Sequence, residues 1–129
     1  MTFYQKKIKE VQEEIYSNEG QIETVIGIRN YIDKNYQQPL NLDVLSNEKF
    51  VSKFHLLRTF KKYYGQTPKQ FLIDTRIQKA KEHLKKGATV TETCFSVGFE
   101  SVSSFSSLFK SRTGRSPSQF QKEQVSINK

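Results

Sequence analysis

The chain has 129 residues, 35% of them hydrophobic, enough for one domain or two very small ones with thin cores. Its 21 Lys and Arg against 13 Asp and Glu leave a net charge of +8, which favours polyanionic partners, nucleic acid first among them. The single cysteine, Cys94, excludes an internal disulfide and any multi-cysteine metal site, and no apolar run approaches the roughly 18 residues of a membrane span.

The charge is uneven. Residues 1–20 carry three Lys and four Glu and sum to −1, so the other 109 residues, with 18 basic and 9 acidic side chains, sum to +9. Residues 1–10 lack the apolar stretch of a secretory signal, and one cysteine suits a reducing compartment, so a cytoplasmic location is expected.

Helical spacing recurs along the chain and strand signals are nearly absent. From Phe3 to Tyr16, Ile8, Val11 and Ile15 form one apolar stripe on a charged helix. Asn18–Gly20 is expected to break it. Ile22, Val25, Ile26 and Ile32 form a second stripe, up to Asn35, and Pro39 ends that helix. Asn41 is a candidate N-cap, with Leu42 and Leu45 facing inward. Ser52 caps the next helix, whose buried face is Leu56 and Phe60, and Gly65 suits its left-handed end. Thr67 and Pro68 start a long helix to about Lys86, with Ile73, Ile77, Ala80 and Leu84 along one face and Glu82 four residues before Lys86. Gly87 closes it.

The pattern then restarts. Thr89 and Glu92 have the spacing of a capping box, and Val90 and Val97 face inward. Gly98 to Ser101 is a turn, Ser101 caps a helix buried through Phe105 and Phe109, and Gly114, Ser116 and Pro117 repeat the earlier ending. Residues 124–129 read as a frayed tail. The repeat is explicit when residues 52–71 are laid over 101–120: Ser52, Phe60, Lys61, Gly65, Pro68, Gln70 and Phe71 each meet an identical residue 49 positions on. Each copy reads as helix, tight turn, helix, the helix-turn-helix unit, and a duplicated unit in a basic chain suits a repetitive anionic partner.

The stretch "SKFHLLRTFKKYYGQTPKQFL", the central "RIQKAKEHL" and "GFESVSSFSSLFKSRTGRSPSQF" resemble the DNA-binding domain of the AraC/XylS family of bacterial transcriptional regulators, over about residues 22–122. The last stretch follows the family pattern G-F-x-x-x-S-x-F-x-x-x-F-K-x-x-x-G-x-[ST]-P. Small residues Ser46 and Cys94 stand where each first helix usually has Ala, Thr93 replaces a common Ile, and Ser107 holds a position where Arg is common. The resemblance implies an all-α fold of two helix-turn-helix subdomains joined by a long central helix. Its expected divisions are a 1–20 helical extension, a first subdomain at 21–66, the central helix at 67–87, a second subdomain at 88–122 and a 123–129 tail.

With Leu56 and Phe60 inward, helical geometry turns Lys53, Phe54, Leu57, Arg58 and Lys61 outward. Arg pairs bidentately with guanine and apolar side chains meet thymine methyls, so Lys53, Phe54, Leu57 and Arg58 are the base-contacting candidates of the first copy. Phe54 and Leu57 could instead widen the buried stripe. In the second copy the outward set is Val102, Ser103, Ser106 and Ser107, whose serines discriminate bases poorly. Lys61, Lys62, Lys110, Arg112 and Arg115 suit phosphate contact, against the alternative of solvated charges. His55 and His83 have no second ligand at metal spacing, Cys94 reads as a packing residue, and no nucleophile–base set or phosphate loop is present. No enzyme, metal or cofactor is therefore expected.

The expected function is sequence-specific binding of double-stranded promoter DNA, with two recognition helices in consecutive major grooves about 34 Å apart. The resemblance implies an activator acting through RNA polymerase more often than a repressor. A monomer or weak dimer is expected, with no membrane partner. Two alternatives stay open: the C-terminal DNA-binding domain of a larger ligand-responsive regulator, and a protein-binding antagonist that kept the fold. The Met1 start and the likeness to short standalone members count against the first, and the serine-rich second helix is the only support for the second.

Overall fold

The computed structural model describes residues 2–127, without the side chains of residues 14–17. These residues form seven helices and no strand: α1 (Phe3–Asn35), α2 (Leu42–Glu48), α3 (Lys53–Tyr64), α4 (Pro68–Lys85), α5 (Val90–Ser96), α6 (Val102–Thr113) and α7 (Pro117–Ile127). They group into two compact units. The first holds α2, α3 and α1 through Tyr31; the second holds the chain from Ile32 to Asn41 and from Lys69 onward.

Side chains at the helix starts explain why the elements begin where they do. The Ser52 hydroxyl accepts from the His55 N–H at 3.1 Å, Ser101 from Ser104 at 3.2 Å and Ser116 from Gln119 at 3.2 Å. Thr89 and Glu92 complete a reciprocal capping box. At the far ends, Gly65 and Gly114 take left-handed φ values of 70° and 79°, and each N–H donates at 2.8 Å to Lys61 and Lys110 respectively.

Four expectations need correction. Asn18–Gly20 does not break α1, which runs unbroken for 33 residues. An interior glycine costs a helix only about 1 kcal/mol, too little to stop one with apolar and charged helix formers on both sides. The buried stripe of α1 is Val25, Ile28 and Ile32, while Ile22 and Ile26 are 41% and 46% exposed. Val25 and Ile32 of the expected stripe are thus buried, and Ile28 takes the place of Ile22 and Ile26 beside them. The tail is helical as far as Ile127, although Val125 and Ile127 stay exposed. The Ile15 side chain and residues 128–129 lie outside the described residues. Glu82 faces Lys79 at 3.9 Å, not Lys86, which lies past the end of α4.

The first unit buries Val25, Ile28, Leu45, Leu56 and Phe60. The second is built on aromatic contacts: Phe105 lies 5.2 Å from Phe99 and 5.7 Å from Phe109, and Phe109 lies 5.4 Å from Phe120, in tilted and edge-on geometry. Ile77, Ala80, Leu84, Cys94 and Val97 complete that core. Burial pushes the Cys94 thiol up, away from the reactive thiolate. Gln121 pins α7 to the α4–α5 corner by donating to the carbonyls of Leu84 (3.0 Å) and Ala88 (2.7 Å).

The two turns between paired helices share hydrogen bonds but differ in chemistry. Phe50 donates to Asn47 and Val51 to Ser46; Gly98 donates to Phe95 and Phe99 to Cys94. Both are Schellman closures with a left-handed residue, Phe50 at φ 54° and Gly98 at φ 101°. The second turn carries one extra residue, Glu100, before its capping serine, so the 49-position match holds only from Ser52 onward.

These turns give opposite mutational signs. A Cβ at Gly98 would lie 2.7 Å from the Tyr36 carbonyl oxygen and 3.0 Å from Arg76 Nε, so Gly98→Ala is expected to lose more than about 2 kcal/mol of stability. Phe50 is 95% exposed, so Phe50→Gly sacrifices little burial and relieves a left-handed conformation unfavourable by about 1–2 kcal/mol. Urea unfolding should show a small net stabilisation for it. Thr93 is fully buried, and its hydroxyl has no hydrogen-bond partner among the described residues. The near-isosteric Thr93→Val should raise stability by about 1 kcal/mol, read as a higher denaturation midpoint at unchanged slope.

Candidate nucleic-acid interface

The Ser52 cap sets the start of α3, and burial of Leu56, Thr59 and Phe60 sets its rotation. The Thr59 hydroxyl is absorbed locally by donating to the His55 carbonyl. What faces outward follows. Phe54 is 81% exposed, and Lys53, Arg58 and Lys61 are exposed, while Leu57 is half-buried. Phe54, Leu57, Arg58 and Lys61 line one shallow open depression together with Thr67. Phe54 does not widen the core; Leu57 forms the border between core and surface.

Charge on this face is only partly committed. Lys53 pairs with Asp43 of α2. Such an exposed pair contributes little and can exchange its carboxylate for another anion. Lys62 donates to Gln21 at 3.4 Å and sits 5.1 Å from the Tyr63 ring centroid. Among the described residues, Arg58 and Lys61 have no carboxylate at ion-pair distance.

The second copy presents a different face. Phe105 and Phe109 hold α6 inward. Ser103 and Ser107 are exposed and Ser106 is half-buried. Val102, expected outward, is half-buried and packs on the aromatic core, because it is the first residue of a helix entered beside Phe99. Lys110 is exposed. Arg112 reaches Asp74 of α4 at 3.4 Å, and Arg115 Nε reaches Glu123 of α7 at 2.9 Å. The carboxylates of Asp43, Asp74 and Glu123, each from a different helix, could not be read from spacing. Phe50, the exposed aromatic one turn before α3, was also missed; its signal is that the other copy has Gly98 at the same point of its turn.

The described residues bring no three His, Cys, Asp or Glu side chains together for a metal ion, and none of their helices is long and apolar enough to cross a membrane. The exposed face of α3 offers a guanidinium and an ammonium beside an exposed ring, chemistry suited to anionic, aromatic-rich partners.

Residues 45–123 match the model of a helix-turn-helix domain family. An uncharacterized HTH-type transcriptional regulator in the cgkA 5′ region of Pseudoalteromonas carrageenovora is 37% identical over 92 residues, covering 71% of this chain and 55% of that protein. This chain thus spans about half the length of that relative. The C-terminal domain of AraT, a response regulator from Geobacillus stearothermophilus, superposes with TM-score 0.75 at 30% identity, over 78% of this chain and 84% of that one. A probable AraC family transcriptional regulator from Rhodopseudomonas palustris superposes with TM-score 0.71 at 26% identity, over 79% of this chain and 97% of that one. A family model that matches most of the chain, and relatives that share its seven-helix arrangement, lead to one assignment: the chain belongs to the AraC-type helix-turn-helix family of DNA-binding transcriptional regulators.

Proposed function

We propose that the chain binds promoter DNA in a sequence-specific way and activates transcription, with α3 and α6 entering consecutive major grooves on one face of the duplex. The observation that carries this reading is the outward face of α3, where Phe54 is 81% exposed beside Arg58 and Lys61. A large exposed ring is unfavourable in water and useful against thymine methyls. In this reading Lys53, Phe54, Leu57 and Arg58 meet base edges from α3, and Val102, Ser103, Ser106 and Ser107 do so from α6. Lys61, Lys62, Lys110, Arg112 and Arg115 meet phosphates, with α4 as the connecting element between the two subdomains. RNA polymerase is the protein partner that an activator of this family implies. The same units would serve unchanged as the DNA-binding part of a longer regulator, a reading favoured by the 55% coverage of the Pseudoalteromonas relative.

The copies should contribute unequally. A bidentate Arg–guanine pair discriminates by about 1–3 kcal/mol, whereas a serine hydroxyl accepts several partners. Val102 is partly withdrawn into the core, which leaves the α6 face still poorer in reading groups. Selection from randomised sites should therefore return one sharp half-site that Arg58→Ala relaxes and Ser107→Ala leaves nearly intact. A motif unchanged in Arg58→Ala and erased in Ser107→Ala would assign the reading helix to the other copy.

Salt dependence separates DNA from a protein partner. If about six phosphates are neutralised, log affinity should fall with log salt at a slope near −5, measured by fluorescence anisotropy on a short promoter duplex. A flat response would favour the antagonist reading.

A further inference from the structure

The cations assigned to DNA are not equally free. Lys53, at the start of α3, already pairs with Asp43 of α2. Arg112, in the last turn of α6, places Nη1 3.4 Å from Asp74 of α4. Arg115 donates through Nε to both carboxylate oxygens of Glu123 in α7, at 2.9 and 3.3 Å. Among the described residues, Arg58, Lys61 and Lys110 have no carboxylate at ion-pair distance.

Stability does not account for the three pairs. Each of their side chains is about a third exposed or more, and exposed ion pairs contribute little to folding. The helices they join are held without them. Ser52 caps α3, whose Leu56 and Phe60 are buried; Phe105 and Phe109 seat α6; Gln121 pins α7. The contacts are also loose. Arg112 engages through one nitrogen, and a lysine ammonium holds a carboxylate as a point charge.

Their effect on a polyanion is larger. A phosphate that takes one of these cations must first displace the carboxylate. The vacated carboxylate is then a fixed negative charge beside the DNA backbone, and it gathers a cation from solution. One anion is exchanged for another, and part of the counterion release that drives DNA binding is returned. A free cation such as Lys61 bears neither cost.

Resting on the DNA-binding reading above, we propose that Asp43, Asp74 and Glu123 are intramolecular competitors of DNA phosphate. They set affinity by holding down sequence-independent binding in a chain of net charge +8. Each acts through the cation it holds and touches no DNA group itself.

Fluorescence anisotropy on a short duplex of random sequence, bound through its phosphates, tests this. Asp43→Asn, Asp74→Asn and Glu123→Gln should each raise affinity about threefold at low salt, and the triple variant at least about tenfold, with a log–log salt slope steeper by about one. Glu82→Gln changes the net charge by the same unit, but its partner Lys79 is not among the assigned cations. It should change affinity less than about 1.5-fold. A double-mutant cycle separates competition from net charge: Asp43→Asn should have no effect once Lys53→Gln has removed the cation it holds. Circular dichroism should show unchanged helical content and melting. If the Asp74 variant is less stable, the Asp43–Lys53 cycle decides by itself. Variants that match Glu82→Gln, an additive cycle, or affinity that falls when the carboxylates are removed would overturn the proposal while wild-type binding stays salt-dependent. A wild type whose binding does not respond to salt overturns the DNA-binding reading, and this proposal with it.

Discussion

One cation organises the second unit. Arg76, on α4, donates through Nε to the Tyr36 carbonyl at 2.7 Å and through Nη2 to the Gln38 carbonyl at 2.9 Å. These carbonyls lie just past the end of α1, where a helix leaves its last acceptors unpaired. The guanidinium also sits over the Phe99 ring, 5.6 Å from its centroid. Gly98 passes so close to both Arg76 and Tyr36 that no side chain fits there. One residue thus satisfies the α1 exit, supports the turn before α6 and explains a glycine. Partial burial pulls the Arg76 pKa below its usual value, and Glu100 opposes that shift. A lysine would supply the charge without the planar fork that reaches two carbonyls at once.

The two copies show how a duplicated unit diverges while its frame stays constant. Serine caps and left-handed glycine ends are the same in both, because those residues satisfy backbone groups that every such helix exposes. Between them the copies part. The second turn is wedged between Arg76 and Tyr36, and α6 packs its own Phe105 and Phe109 against Phe99 and Phe120 and is tied to α4 through Arg112 and Asp74. The first turn carries a left-handed, exposed Phe50. Strain is retained at a position where the surrounding structure tolerates it, and here it lies directly before α3, whose exposed face carries Phe54, Arg58 and Lys61.

What could be read in the sequence was what is settled locally. Ser52, Thr89, Ser101, Gly65 and Gly114 announced helix ends because a cap depends on residues three or four positions away. Leu56 with Phe60 and Phe105 with Phe109 gave the inward faces of α3 and α6, which left the outward sets by subtraction. Val102 escaped that subtraction because the first turn of a helix is placed by the loop entering it. The partners of Lys53, Arg112 and Arg115 lie on other helices, and spacing carries no record of them. The α1 break was misjudged for an energetic reason: Gly20 reads as punctuation, yet one glycine weighs little against a helix continuous on both sides.

That continuity links the two halves of α1. With no break at Gly20, the rotation that buries Val25 and Ile28 also fixes which way Ile22 and Asn18 turn. Gly20 lies inside α1 with nothing within 4 Å of the place its side chain would occupy. A residue without Cβ permits a small local adjustment of the helix there at little steric cost. The glycine that looked like the end of one element lies inside a helix whose apolar side chains are exposed before it, at Tyr4, Ile8 and Val11, and buried after it, at Val25, Ile28 and Ile32.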